Sequence, residues 1–142
     1  KIKDVLPLVE FSESDSVSLD RVFELMVVSG IDPATAITVL IPPAYELLTN
    51  LTQEQRAFFE YASLLMKPWD GPAAIAFTDG VVIGGKLDRN GLRPARIVVT
   101  ESGEVIFGSE VGMVEVPESE VVRFGRLMPG EVFTVNTETG EI

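Results

Sequence analysis

There is no cysteine in the 142 residues and no histidine, and these two absences remove most of the usual chemistry at once. Without a thiol there is no cysteine nucleophile, disulfide, thiolate zinc site or iron–sulfur ligation in this chain. Without an imidazole there is no histidine general base and no histidine metal ligand. Carboxylate pairs stay formally available for acid–base work, but no spacing singles one out. Basic charge is scarce as well. Eleven Lys and Arg stand against 22 Asp and Glu, for a net charge of -11 and a pI near 4.3, which argues against nucleic acid as a partner. The acidic residues are scattered, with no run of five, and read as a solvated surface. No stretch approaches the roughly 20 apolar residues of a membrane span, and no signal peptide is evident. The expectation is a soluble, cytoplasmic protein. Its first residue is Lys and not Met, which reads as an internal or processed piece.

What is there is one domain's worth of chain, long enough to bury about two-thirds of its unfolded surface. Asp4 to Glu10 carries Pro7 and reads as an edge strand or loop. A polar hinge over residues 11–18 leads into a first helix from about Ser16 to Ser29. There Leu19, Val22, Phe23, Met26 and Val27 recur on one face, and Gly30 stands at the C′ position. Asp32-Pro33 is an N-cap followed by Pro at the first helical position, opening a second helix through about Leu40. Pro42-Pro43 interrupts it, and Ala44 to Leu48 fits one further turn. Thr52 to Gln55 fits a capping box for a third helix, with Phe58, Tyr61, Ala62 and Leu65 on its apolar face and Pro68 closing it.

Strands follow. Ala73 to Phe77 and Val81 to Leu87 flank Asp79-Gly80, a two-residue hairpin turn. Asp88-Arg89-Asn90-Gly91 is a second turn before Ile97-Val98-Val99, so a meander of at least three antiparallel strands is expected. Glu104 to Gly108, Val121 to Phe124 and Val132 to Val135 read as further strands, with Val114 to Pro117 extended between them. Helices first and strands after is an α+β order.

The segments WDGPAAIAFTDG (69–80), LDRNGLRPAR (87–96), SEVG (109–112), SDSVSLD (14–20) and GRLMPGEVFTVNT (125–137) together resemble the glutamine amidotransferase domain of the glutamate synthase large subunit. They agree in order and spacing over nearly the whole chain. The resemblance implies an N-terminal-nucleophile-hydrolase-like sandwich of antiparallel sheets with helical layers, incomplete here, with residues 1–142 as the C-terminal part of the domain. In that family a leading Cys attacks the glutamine amide, its own α-amino group acting as base, and an upstream Arg holds the substrate carboxylate. None of these is present, so the chain alone is expected to be inactive. Ammonia from glutamine then passes to a synthase domain that acts on 2-oxoglutarate with FMN and an iron–sulfur cluster. Neither cofactor is expected in this chain. The implied partners are glutamine, an upstream amidotransferase lobe and the synthase domain or subunit. The alternative is a non-catalytic, glutamine-sensing or scaffold lobe that docks on a synthase subunit.

By the same resemblance Ser14, Asp15 and Ser16 are the glutamine-binding residues, and Asp15 among them accepts hydrogen bonds from the α-ammonium of the bound substrate. From spacing alone the commoner role for such a residue is a helix N-cap. Asn90-Gly91 invites confusion with the oxyanion-hole Asn-Gly of class II amidotransferases. That pair belongs to an H-N-G-E segment that is missing here, so Asn90-Gly91 is assigned to a turn. Arg89, Arg93 and Arg96 could bind an anion, but pairing of one or more with Glu110 to staple strands is the blander reading. Gly84-Gly85 lacks the pattern and following helix of a phosphate cradle and reads as a close-packed strand. Trp69 could stack on a ligand, although an aromatic anchor beneath a turn is commoner.

Overall fold

The computed structural model describes residues 2–4 and 6–142. Lys1 and Val5 fall outside them, and residues 6–10 of the expected edge strand or loop form no strand. Three helices come first: α1 (Asp15–Val28), α2 (Pro33–Leu40) and α3 (Gln53–Leu65), with short 3-10 turns at Ile2–Asp4 before them, Tyr45–Leu47 between α2 and α3, and Glu118–Glu120 further on. The starts of α2 and α3 are capped as their sequences predict. Asp32 accepts from the Thr35 N–H at 2.8 Å, and Thr52 and Gln55 form a reciprocal capping box. Helix α1 stops in a Schellman arrangement, in which Gly30, at φ 92°, donates to Val27 O and Ile31 to Met26 O.

Six strands follow: β1 (Ala74–Thr78), β2 (Val82–Leu87), β3 (Arg96–Thr100), β4 (Val105–Gly108), β5 (Val121–Arg126) and β6 (Val132–Asn136). They form two antiparallel sheets, ordered β1-β2-β6 and β4-β3-β5. The expected three-strand meander is therefore corrected. β2 already has β1 on one side and β6 on the other, and residues 88–95 carry the chain out of the first sheet to begin a second. Pro94 in that crossing lacks the N–H a ladder needs. The hairpin turn also shifts by one residue. Gly80, at φ 98°, and Val81 occupy its tip, while the Asp79 carboxylate accepts from the Val81 and Val82 N–H groups at 2.9 and 2.7 Å. Residues 114–117 form no strand.

Alternation along β2 assigns the two faces of the first sheet. A Cβ on Gly84 would run into the Phe77 ring, and one on Gly85 into the Phe107 ring, so these glycines are a close-packed strand as expected. On the Phe77 side lie the helices. Val22 and Phe23 of α1, Ala36, Ile37 and Leu40 of α2, and Ile41 bury together against Phe77, with the Phe23 and Phe77 rings edge-on at 5.5 Å. On the other side Phe107 of β4 stacks on Phe133 of β6, and Leu87, Ala95 and Leu127 bury where the chain passes between sheets.

Two expectations about packing fail. Helix α3 buries Ala62 and stacks Phe59 on Tyr45, but Tyr61 and Leu65 of its predicted apolar face stand about 60% exposed. No neighbouring element among the described residues reaches them. Arg89 pairs with Glu46, at 3.0 Å, and not with Glu110; among the described residues no ion pair joins Glu110 to an arginine.

Lys86 is fully buried on β2, between Ile75 of β1 and Val132 of β6. Its Nζ donates to Gly130 O at 2.7 Å, and burial pushes its pKa down to about 8.

Candidate functional site

The polar segment before α1 builds the first part of the site. Ser14 is extended, at φ -69° and ψ 155°, and its Oγ accepts from the Val17 N–H. The N-cap is thus Ser14 and not Asp15. Asp15 becomes the first helical residue, where a negative charge suits the positive end of the helix. Its carboxylate is met by the N–H of Ser16 at 2.8 Å, and the Ser14 and Ser16 hydroxyls stand 3.1 Å apart.

Asp15 and Ser16 line an open cleft of about 1200 Å³, together with Leu19 and Phe23 of α1, the 69–73 segment, β1 and Asp88. Ser14 does not line it; its hydroxyl is spent on the cap. Of the three residues singled out from sequence, two therefore face the cleft.

The opposite wall depends on Asp88, which the sequence presented only as a turn residue. It is 2% exposed. Its carboxylate accepts from the N–H groups of Ala73, Asn90 and Leu92, at 3.3, 3.2 and 3.0 Å, and its own N–H donates to Ala73 O. One buried carboxylate thus closes the 88–92 turn and ties it to the start of β1. Gly91, at φ 63°, donates to Asp88 O in that turn, which is the place assigned to Asn90-Gly91. A carboxylate following a strand and leading Arg-Asn-Gly is the signal that could have marked Asp88, since Asp side chains accept from N–H groups two residues on.

Trp69 is an anchor, as expected, with a link the sequence did not announce. It packs half-buried on the helical core, its backbone N–H donates to Leu40 O at 2.9 Å, and its indole Nε1–H donates to Asp15 O at 3.2 Å. Among the described residues no group of carboxylates is arranged to hold a metal ion, and no helix is long and apolar enough to cross a membrane.

The glutamate synthase (NADPH) large chain of Bacillus subtilis is 48% identical over 141 residues, covering 99% of this chain and 9% of its own length. The glutamate synthase (NADH) of Saccharomyces cerevisiae is 41% identical over 143 residues, covering 100% of this chain and 7% of its own. A ferredoxin-dependent glutamate synthase 2 of Synechocystis is 42% identical over 138 residues, covering 96% and 9%. The chain therefore spans less than a tenth of the length of these relatives. The family profile of the class II glutamine amidotransferases matches residues 1–142, and the chain belongs to that family, in the form the domain takes in glutamate synthases.

Proposed function

We propose that this chain is the C-terminal part of a glutaminase domain that hydrolyses glutamine to glutamate and ammonia for a glutamate synthase, and that it supplies the ligand for the substrate's α-ammonium. The observation that carries the reading is the division of labour at the start of α1. Ser14 makes the cap, so the Asp15 carboxylate, on a residue that lines the cleft, is not spent on capping. A charge-assisted hydrogen bond from an ammonium to such a carboxylate contributes about 1.5 to 3 kcal/mol net. Ser16 stands beside it, and Ser14 acts through the cap.

The nucleophile comes from elsewhere, because the chain has no cysteine. An upstream lobe of the domain would bring it to the cleft. β1 is an edge strand and its residues line that cleft, so its unpaired edge offers a place for strand addition. Val122 and Phe124 of β5, 64% and 58% exposed, are further apolar surface that an incomplete sandwich leaves uncovered. FMN and an iron–sulfur cluster would belong to the synthase portion. These 142 residues contain no thiolate to ligate a cluster, and none of the steps assigned to this chain involves either group. A cytoplasmic setting fits this role.

The test is Asp15→Ala in the complete enzyme, which should raise the glutamine KM by roughly tenfold or more. An unchanged KM would remove Asp15 from the site. The isolated chain should release no glutamate from glutamine; robust release would refute its dependence on an external nucleophile.

A further inference from the structure

We propose that Trp69 is a positioning residue of the glutamine site, setting through its indole N–H where the Asp15 carboxylate stands. The inference rests on the reading of Asp15 as the ammonium ligand.

The argument begins with what holds Asp15. It is the first residue of α1, preceded by an exposed polar stretch, and helix ends are where backbone hydrogen bonds are fewest and local opening is cheapest. The Ser14 cap fixes the N–H side of that first turn at 3.3 Å. It does not attach the turn to the rest of the molecule. A hydrogen bond that does so, beside the packing of Ser18 and Leu19, is that of the indole Nε1–H of Trp69, which donates to Asp15 O across 54 positions of sequence.

Trp69 is itself held from two sides. Its backbone N–H is bonded to Leu40 O, at the end of a helix whose Ala36, Ile37 and Leu40 are at most 1% exposed. Downstream, the 70–73 turn is clamped by the buried Asp88 through Ala73. The indole is thus a strut between the core and the backbone of the residue that bears the carboxylate. A buried or half-buried indole N–H usually finds some acceptor. The acceptor chosen here is the carbonyl of the substrate-binding residue, and both residues line the same cleft.

If the strut positions the carboxylate, removing its donor loosens ground-state binding of glutamine and leaves the chemistry at the distant amide carbon alone. In the complete enzyme Trp69→Phe should raise the glutamine KM roughly fivefold, the worth of one ordinary hydrogen bond, with kcat within about twofold. Because Phe also changes ring size, a second variant replaces Trp69 by β-(3-benzothienyl)alanine, which keeps the bicyclic shape and lacks the N–H. It should show the same rise in KM with an unchanged thermal midpoint. Either change placed on Asp15→Ala should add nothing further to KM, since the group being positioned has gone.

The outcomes separate. A KM unchanged in both Trp69 variants, or an effect that adds in full to that of Asp15→Ala, overturns the positioning role while leaving Asp15 as a ligand. An Asp15→Ala enzyme with normal KM refutes the reading of Asp15 and the proposal with it. A fall in kcat alone would also overturn the proposal.

Discussion

The pH dependence of replacing Lys86 by Met reads out the energetic effect of a single buried ammonium. The side chain is fully buried on β2 and bonded to Gly130 O at 2.7 Å. Desolvation lowers its pKa from 10.5 to about 8, and at about 1.4 kcal/mol per tenfold that drop corresponds to a cost of about 3 kcal/mol when the folded protein carries the charged form. The sign follows from proton counts. Between pH 8 and 10.5 the unfolded chain holds a proton that the folded chain has released, so stability rises with pH across that window. The gain is complete above 10.5 and is lost as the pH falls through about 8. Lys86→Met removes this term. It also deprives the Gly130 carbonyl of its donor, which costs about 1 to 3 kcal/mol. The two effects nearly cancel at pH 7, where the variant should match the parent, whereas at pH 10 it should be clearly the less stable. Urea unfolding of parent and variant, followed by circular dichroism from pH 7 to 10, should show their difference widening by about 2 to 3 kcal/mol. Parallel pH profiles would refute the assignment of a depressed pKa to this residue.

The close packing of β2 and the anchoring of the 88–92 turn make two further tests. Gly84→Ala places a methyl group against the Phe77 ring and should destabilise the fold by about 1 to 3 kcal/mol, read as a lower urea midpoint with unchanged slope; an unaltered midpoint would mean that the ring moves freely. Asp88→Ala leaves the N–H groups of Ala73, Asn90 and Leu92 without their acceptor and should cost about 3 kcal/mol or more, whereas a stable variant would show that water satisfies them.

Much of the fold was legible because local chemistry and final structure agree in it. The caps at Asp32 and Thr52, the stop at Gly30 and the buried face of α1 follow from spacing alone. The departures share a cause, which is that a partner's identity is not written locally. Nothing in Ile97 to Val99 says that β2 is already flanked by β6, so the third strand reads as a continuation of the hairpin. Tyr61 and Leu65 have helical periodicity, but their burial depends on a neighbour that no described element provides. Lys86 looks like an outward polar position in a strand, and only the closing of the 128–130 turn over it makes it a buried donor. At the site, residue types and spacing offered Asp15 as a helix cap and only the family resemblance gave it a binding role, while which of two adjacent polar residues caps the helix was decided by backbone geometry at Ser14. The link from Trp69 spans too much sequence to be read from either end.

The order of strands in the two sheets carries a consequence for how the chain acquires its structure. The second sheet is sequence-local, built within residues 96–126, whereas the first waits for β6, whose Asn136 must find Val82 across more than fifty residues. Pairing over short separations closes smaller loops and forms sooner. The sheet behind the cleft should therefore settle after the second sheet, and during synthesis it stays incomplete until β6 has left the ribosome. Pulsed hydrogen exchange during refolding should find the β3 to β5 amides protected before those shared by β2 and β6; simultaneous protection would show that the two sheets assemble as one cooperative unit.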